Sequence, residues 1–206
     1  MSPDATPRPA TGKMLLFTAP SGAGKTTVVR HLLQHFGELA FSVSATNRPM
    51  RPGEEDGVSY HFLTDAEFRR RIAAGDFVEY EEVYPGRFYG TLRSELDRIW
   101  ASGRTIVFDI EVKGATNIKR MYPTNSLAVF VDPPSQEVLF QRLRDRNTET
   151  PEQLAARIAR AGEELSYRGT FDYVLLNDDL PTALAEAEEV VRNFLATPLT
   201  EQEREH

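Results

Sequence analysis

Cysteine is absent from this chain of 206 residues. That excludes disulfides and thiolate metal sites, and it fits a reducing cytoplasm, where the protein is expected to reside. Long apolar runs are missing too. None approaches the roughly 20 residues a helix needs to cross a bilayer, so no membrane partner is expected. Residues 1–12 contain three prolines and no apolar segment of the secretion-signal type. They are expected to form a flexible tail, and the polar stretch 196–206 a frayed one. Positive charge is in deficit, with a formal net charge of −7. Broad binding to a nucleic acid backbone is therefore not expected. Small anionic ligands stay open, because local clusters of donors hold them rather than the overall field. There is no internal repeat and no low-complexity linker.

What is present suits one substantial core: 40% apolar and 27% charged residues, the proportions of a globular domain. Its most informative stretch is Ala19-Pro20-Ser21-Gly22-Ala23-Gly24-Lys25-Thr26. An apolar run at 14–17 precedes it and reads as a buried strand; 27–33 follows and reads as an amphipathic helix. A phosphate-binding loop needs that context. Small residues let successive N–H groups turn inward around phosphate oxygens, and the helix presents its positive end to the same anion. Lys25 adds a mobile cation for the terminal phosphates, and the Thr26 hydroxyl can ligate Mg2+. Ala19 stands where such loops usually open with Gly. Only positions needing positive φ demand Gly, and Gly22 and Gly24 are available for those.

Strand patterns at 14–18, 40–44, 105–110, 127–131 and 173–176 alternate with helix patterns at 25–35, 94–101, 115–121, 136–145, 152–167 and 181–194. This predicts an α/β fold with a parallel sheet covered by helices. In such sheets ligands sit beyond the carboxyl ends of the strands, where Lys25, Ser44 and Asp109 all fall. From 45 to 93 the pattern turns hairpin-like, with turns at 51–53 and 55–57 and a short helix at 65–74 capped by Asp65. This reads as an inserted subdomain. A second break, arginine-rich and helical, runs from 132 to 167.

Within the insert, Arg48 and Arg51 place two guanidiniums three residues apart, which suits a phosphate monoester; Tyr60 and Tyr89 can add hydroxyl donors. Glu79 lies in a short strand pattern among apolar and aromatic neighbours. A carboxylate can accept both the N1–H and the N2 amine of guanine, whereas adenine would leave it unpaired. Ser44 and Thr91 can donate to guanine O6. Asp109, ending an apolar run, can hold Mg2+ directly or through water, and Glu111 follows two residues on. A solvated basic turn, an exposed strand glutamate and a helix-capping aspartate are the structural readings of the same residues taken singly.

Several motifs in order, Phe41-Ser42-Val43-Ser44-Ala45-Thr46-Asn47-Arg48, Arg51-Pro52-Gly53-Glu54, Gly57-Val58-Ser59-Tyr60-His61-Phe62, Phe88-Tyr89-Gly90-Thr91, Asp109-Ile110-Glu111 with Gly114, and Arg146-Asn147-Thr148-Glu149-Thr150, resemble the guanylate kinase family over about residues 13–194. The resemblance implies a P-loop NTPase type of fold. Its core would comprise 13–44, 94–132 and 168–195, with a GMP-binding insert at 45–93 and a helical lid at 133–167. The implied reaction is ATP-dependent phosphorylation of GMP, or dGMP, to GDP, with Mg2+ as cofactor, nucleotides as the only partners, and a monomer or homodimer as the assembly. The implied acceptor-binding residues are Ser44, Arg48, Arg51, Tyr60, Glu79, Tyr89, Thr91 and Glu111. Donor-binding residues would be Ser21, Gly22, Ala23, Gly24, Lys25, Thr26, Thr27 and, near the base, Asn177; Thr26 and Asp109 would hold the metal. Lys25, Arg48, Arg51 and the lid arginines Arg146 and Arg157 would be catalytic. Departures from the family pattern are Ala19, Asn47 in place of Thr, Phe88 in place of the first of two tyrosines, Asn147 in place of Gly, and an extra Pro85. Three other readings remain: a kinase of a phosphorylated sugar on the same scaffold, which would have no use for Glu79 with Ser44 and Thr91; a non-catalytic protein-interaction module, which would not need Lys25; and an NTP-hydrolysing switch, which would leave the Arg48/Arg51 pair unexplained.

Overall fold

Strand β1 (Met14–Thr18) is buried at every position and lies at the centre of a five-stranded sheet. The computed structural model describes residues 12–145 and 151–199. The remaining strands of this sheet are β2 (Leu39–Phe41), β7 (Thr105–Asp109), β8 (Ser126–Asp132) and β9 (Tyr173–Leu176), in the order β2-β7-β1-β8-β9. All pairs are parallel. The chain moves one way from β1 to β2 and the other way from β7 to β8, so the carboxyl ends of β1 and β7 flank a switch point in strand order, where such sheets bind ligands.

Both faces of the sheet are covered, which is why its strands are apolar without alternation. Leu15 and Phe17 of β1 join one core, with α1 (Lys25–His35), α5 (Gln136–Asp145), α6 (Pro151–Leu165) and α7 (Leu180–Ala196). Met14 and Leu16 point the other way, into a second core with α3 (Arg93–Ala101) and α4 (Val112–Met121). The Lys13 ammonium donates to the carbonyls of Phe194 and Leu195, at 2.7 Å each, and to that of Thr197. It thus sits at the negative end of α7. Among the described residues no helix is long and apolar enough to cross a membrane.

The insert builds its own sheet, ordered β4-β3-β6-β5, from β3 (Ala45–Thr46), β4 (His61–Phe62), β5 (Phe77–Tyr84) and β6 (Arg87–Leu92). A third core, centred on Phe68 of α2 (Asp65–Ala73), packs beneath it. The expected strand at 40–44 stops at Phe41: the Val43 amide donates to Glu95 Oε2 instead of a strand partner, and the chain leaves for the second sheet. The cap of α2 is Thr64, not Asp65. Thr64 holds the extended conformation a cap needs, and its Oγ1 accepts from the Glu67 amide at 3.1 Å. Asp65 binds Arg69 and Asn47 instead. The additional Pro85 falls in the turn of the β5–β6 hairpin, next to Gly86 at φ 74° and a register shift between Glu82 and Tyr84. Further along the hairpin Glu79 pairs with Thr91.

The Phe68 ring is fully buried, stacked on Phe77 with ring centres 4.5 Å apart and tilted against Phe88 at 5.6 Å. Phe68→Ala should cost about 3–5 kcal/mol. Because that core belongs to the insert, affinity for a ligand held by the insert should fall far more than affinity for one held by the loop at 19–26. Denaturant unfolding together with separate titrations of the two ligands checks this.

Candidate active site

The loop between β1 and α1 closes on itself before it meets any ligand. Gly22 and Gly24 adopt φ of 94° and 95°, which only glycine does at no steric cost. Gly24 is constrained twice, since a Cβ there would lie 2.3 Å from Asn177 Nδ2. The Ala23 amide donates to the Pro20 carbonyl, and the amides of Thr27 and Val28 to that of Gly24. Among the described residues the amides of Gly22, Gly24, Lys25 and Thr26 have no protein acceptor. They form a concave set of donors at a helix N-terminus, the chemistry of an anion site.

Lys25 Nζ lies 2.6 Å from Asp109 Oδ1 and donates to the Ile110 carbonyl at 2.9 Å. Burial alone would lower its pKa, but Asp109 and Glu111 outweigh burial and hold it above the ordinary lysine value. Thr26 Oγ1 donates to the other Asp109 oxygen at 2.9 Å. A hydroxyl and a carboxylate thus meet beside the phosphate loop. Two hard oxygen donors so placed fit Mg2+.

Opposite the loop stands the insert. Arg48 is 5% exposed. Its guanidinium engages Glu54 with both terminal nitrogens, Nη1 at 2.7 Å from Oε2, while Nε donates to the Tyr89 hydroxyl at 3.2 Å. Its cation lies 4.9 Å from the Tyr60 ring centre. Glu54 also accepts from the Arg51 amide at 2.7 Å, and its hydrogen bonds from Arg48 hold its pKa down at about 2. Glu54 therefore fixes the Arg48 guanidinium and the backbone at Arg51. Arg51 remains exposed at the cleft.

Glu79 is 9% exposed. Burial pushes its carboxyl up to about 7, the Thr91 hydroxyl pulls it down, and Glu81 and Glu111 push it further up. Thr91 Oγ1 donates to Glu79 Oε1 at 2.8 Å. Oε2 faces α4, where a Cβ on Gly114 would come within 2.8 Å of it. Gly114→Ala must therefore displace the carboxylate. A misplacement of about 1 Å can cost about 10²-fold in kcat/KM, and a loss of that size is expected for the ligand that meets Glu79, with binding at the phosphate loop unchanged, by steady-state kinetics and ligand titration.

These groups share one cleft of 1080 Å³, above the 300–1,000 Å³ usual for a single small ligand. Of the residues singled out in the sequence, Ser21, Gly22, Gly24, Lys25, Thr26, Thr27, Ser44, Arg48, Arg51, Tyr60, Glu79, Tyr89, Asp109, Glu111 and Arg157 line it. Three stand behind its wall. Ala23 is fully buried. Thr91 is buried too, and acts on Glu79 rather than on the cavity. Asn177 donates to the Ala23 carbonyl at 2.7 Å and so braces the loop from the rear. Arg146 lies outside the described residues.

Sequence reasoning missed Arg160, Glu164 and Glu54. Arg160 donates to Glu111 Oε2 at 3.0 Å, Glu164 Oε1 at 2.8 Å and the Val83 carbonyl at 2.6 Å, joining α6 to the insert. Glu164 is pushed up to about 7 by burial and by Glu111, against the pull of Arg160. Positions 157, 160 and 164 follow the 3–4 spacing of one helix face, which was the available signal. Arg157 Nη2 donates to Ser21 Oγ at 3.1 Å, bringing α6 onto the phosphate loop.

Comparison with known proteins places these features in a family. The family model described as "Guanylate kinase" matches residues 11–194. The guanylate kinase of Bacteroides fragilis is 49% identical over 183 residues, covering 89% of this chain and 90% of that one. That of Salinibacter ruber is 48% identical over 184 residues, covering 89% and 97%. Among solved structures, guanylate kinase from Anaplasma phagocytophilum superposes with a TM-score of 0.73 at 29% identity, covering 91% of this chain and 88% of that one.

Proposed function

The chain belongs to the guanylate kinase family, and we propose that its cleft sets the γ-phosphoryl group of ATP against the phosphate of GMP and passes it across directly. The protein is an enzyme that phosphorylates GMP. An oxygen of the GMP phosphate forms the new bond to Pγ, and the bond from Pγ to the bridging oxygen of ADP breaks. The acceptor is already anionic, so no strong base is needed; the barrier is charge repulsion and positioning.

The free amides of the phosphate loop bind the donor phosphates, and Lys25 neutralises charge at their far end. Thr26 and Asp109 would hold Mg2+, which when bound offsets charge on the β- and γ-phosphates. Asn177 and Ala23 fix the loop behind these donors. Arg51 and the Tyr89 hydroxyl grip the acceptor phosphate, with Arg48 held in place by Glu54. Glu79, with its Oε1 committed to Thr91, takes the guanine N–H edge, and Ser44 completes the base site. Arg157 stabilises the group in transit. The insert, 45–93, and the lid, 133–167, close over their own substrates and exclude water that would otherwise accept the phosphoryl group. A cytoplasmic enzyme agrees with the cysteine-free sequence.

One observation carries this reading: a buried carboxylate able to read guanine and a phosphate loop with its lysine face the same cavity. A kinase of a phosphorylated sugar has no use for the first, and an interaction module no use for the second. The test offers ATP and Mg2+ with GMP, AMP, CMP and UMP in turn and follows diphosphate formation. GMP should exceed the others by orders of magnitude, and ATP hydrolysis without acceptor should be feeble. Comparable use of AMP, or fast acceptor-independent hydrolysis, would refute it.

A further inference from the structure

On the far side of α1 from the cleft, two imidazoles stand one turn apart. His31 and His35 occupy positions i and i+4, their ring centres 4.0 Å apart with planes at 31°. Across from them, Glu188 of α7 accepts from His31 Nε2 at 2.7 Å. One ligand atom from each of the three lies within 4.8 Å of the others. None belongs to the nucleotide cleft, and the core packing of α1 and α7 is carried by Val28, Val29, Leu32, Ala187 and Val191. The reaction leaves the trio without a role, and the fold uses only its His31–Glu188 bridge between α1 and α7.

We propose that His31, His35 and Glu188 form a surface site for a zinc-class divalent cation, which clips the helix behind the phosphate loop to the C-terminal helix. Two imidazoles and one carboxylate are a borderline donor set, matched to Zn2+ and its neighbours and poorly matched to Mg2+ or Ca2+, which want oxygen cages. Two histidines on successive turns of one helix plus an acidic ligand from another element leave the fourth tetrahedral position to water. Bonds of 2.0–2.1 Å put tetrahedral donors about 3.3 Å apart, so the ligands need close by only small rotamer changes. The environment allows this. His35 is exposed and His31 and Glu188 are partly so. His35 Nδ1 hydrogen-bonds to the His31 carbonyl at 2.8 Å, which fixes that ring and leaves Nε2 as the nitrogen available to a cation; such outer bonds orient metal-ligating histidines. Arg192 contacts Glu188 at 3.6 Å through the carboxylate oxygen His31 does not use. It sits next to the ion and reduces its affinity, without taking a ligand atom.

Tag-free full-length protein is titrated with Zn2+ by calorimetry, with Mg2+ present and no nucleotide, and with Co2+ followed by visible absorption. One ion per chain should bind. Co2+ should give the intense bands of a tetrahedral centre, and thermal unfolding should move to higher temperature with the free-ion concentration. His35→Ala and Glu188→Gln should each weaken binding by about tenfold or more, the least expected when a ligand rather than its outer partner is lost. GMP phosphorylation by zinc-free His35→Ala with Mg2+ should be unchanged, since His35 does not line the cleft. Absence of binding would overturn the proposal. So would binding that survives both substitutions, which would place the ion elsewhere.

Discussion

Glu79→Gln should lower kcat/KM for GMP by about 10⁴. That is the range for a buried site whose hydrogen-bonding partner to the substrate is wrong. The geometry explains the size. Oε1 of Glu79 is taken by the Thr91 hydroxyl, 2.8 Å away. An amide placed there keeps its oxygen for Thr91 and turns its NH2 towards the guanine N–H groups, so donors face donors in a buried place. ATP binding should be untouched, because the partners of Glu79 are Thr91, Glu81 and Glu111, none of them in the phosphate loop. A variant that kept near-normal GMP use would remove Glu79 from base recognition.

The same residue sets a pH dependence. Its carboxyl is raised to about 7 by burial, against Thr91 and with help from Glu81 and Glu111, while the unfolded chain releases that proton near 4.5. Between those values the folded protein holds the extra proton. Its contribution to stability therefore declines as pH rises through the window and is greatest below about 4.5. In the proposed role Glu79 accepts from guanine in its ionised form, so KM for GMP should fall as pH rises from 6 to 8. The Gln variant retains whatever comes from the phosphate's own second ionisation near pH 6. The difference between the two profiles isolates Glu79; superimposable profiles would contradict the assignment.

How much of this was legible in the sequence depends on the range of the interaction. The phosphate loop was readable because its requirements are local: a buried strand, glycines at the two positions that take φ near 95°, and a helix starting at Lys25. Glu79 taken singly reads as an exposed strand residue and gains weight only beside the other motifs; its burial comes from packing between segments. What escaped was set by contacts between distant segments. Arg160 meets Glu111 across 49 positions. The Arg48–Glu54 pair spans only six positions, but nothing in a turn says that a glutamate folds back onto its own arginine. Asn177 matches a position the resemblance puts near the donor base; its amide instead reaches Ala23, 154 residues away, a contact that no periodicity announces. Thr64 and Asp65 are both good caps, and only the backbone entering α2 chose between them.

Removing Arg157 should be the other large loss, and its neighbour supplies the control. Arg157 and Arg160 are three residues apart on one face of α6 and both line the cleft, yet their engagements differ. Arg157 reaches Ser21 in the phosphate loop at 3.1 Å. Arg160 is held by Glu111, Glu164 and the Val83 carbonyl, on the acceptor side. An arginine that meets the transferring group is worth about 10³–10⁵ in rate, and it acts on the transition state rather than on either substrate. Arg157→Ala should therefore lower kcat by at least about 10³ with little change in either KM. Arg157→Lys should recover only part of this, because an ammonium cannot offer the planar fork. Arg160→Ala leaves Glu111 and Glu164 facing each other without their cation. It should raise KM for GMP and disturb the pH profile, with a smaller effect on kcat. If Arg160→Ala instead lost the larger part of kcat, the roles would be exchanged. The lid would then work by clamping the acceptor through Glu111, not by delivering charge to the phosphate loop.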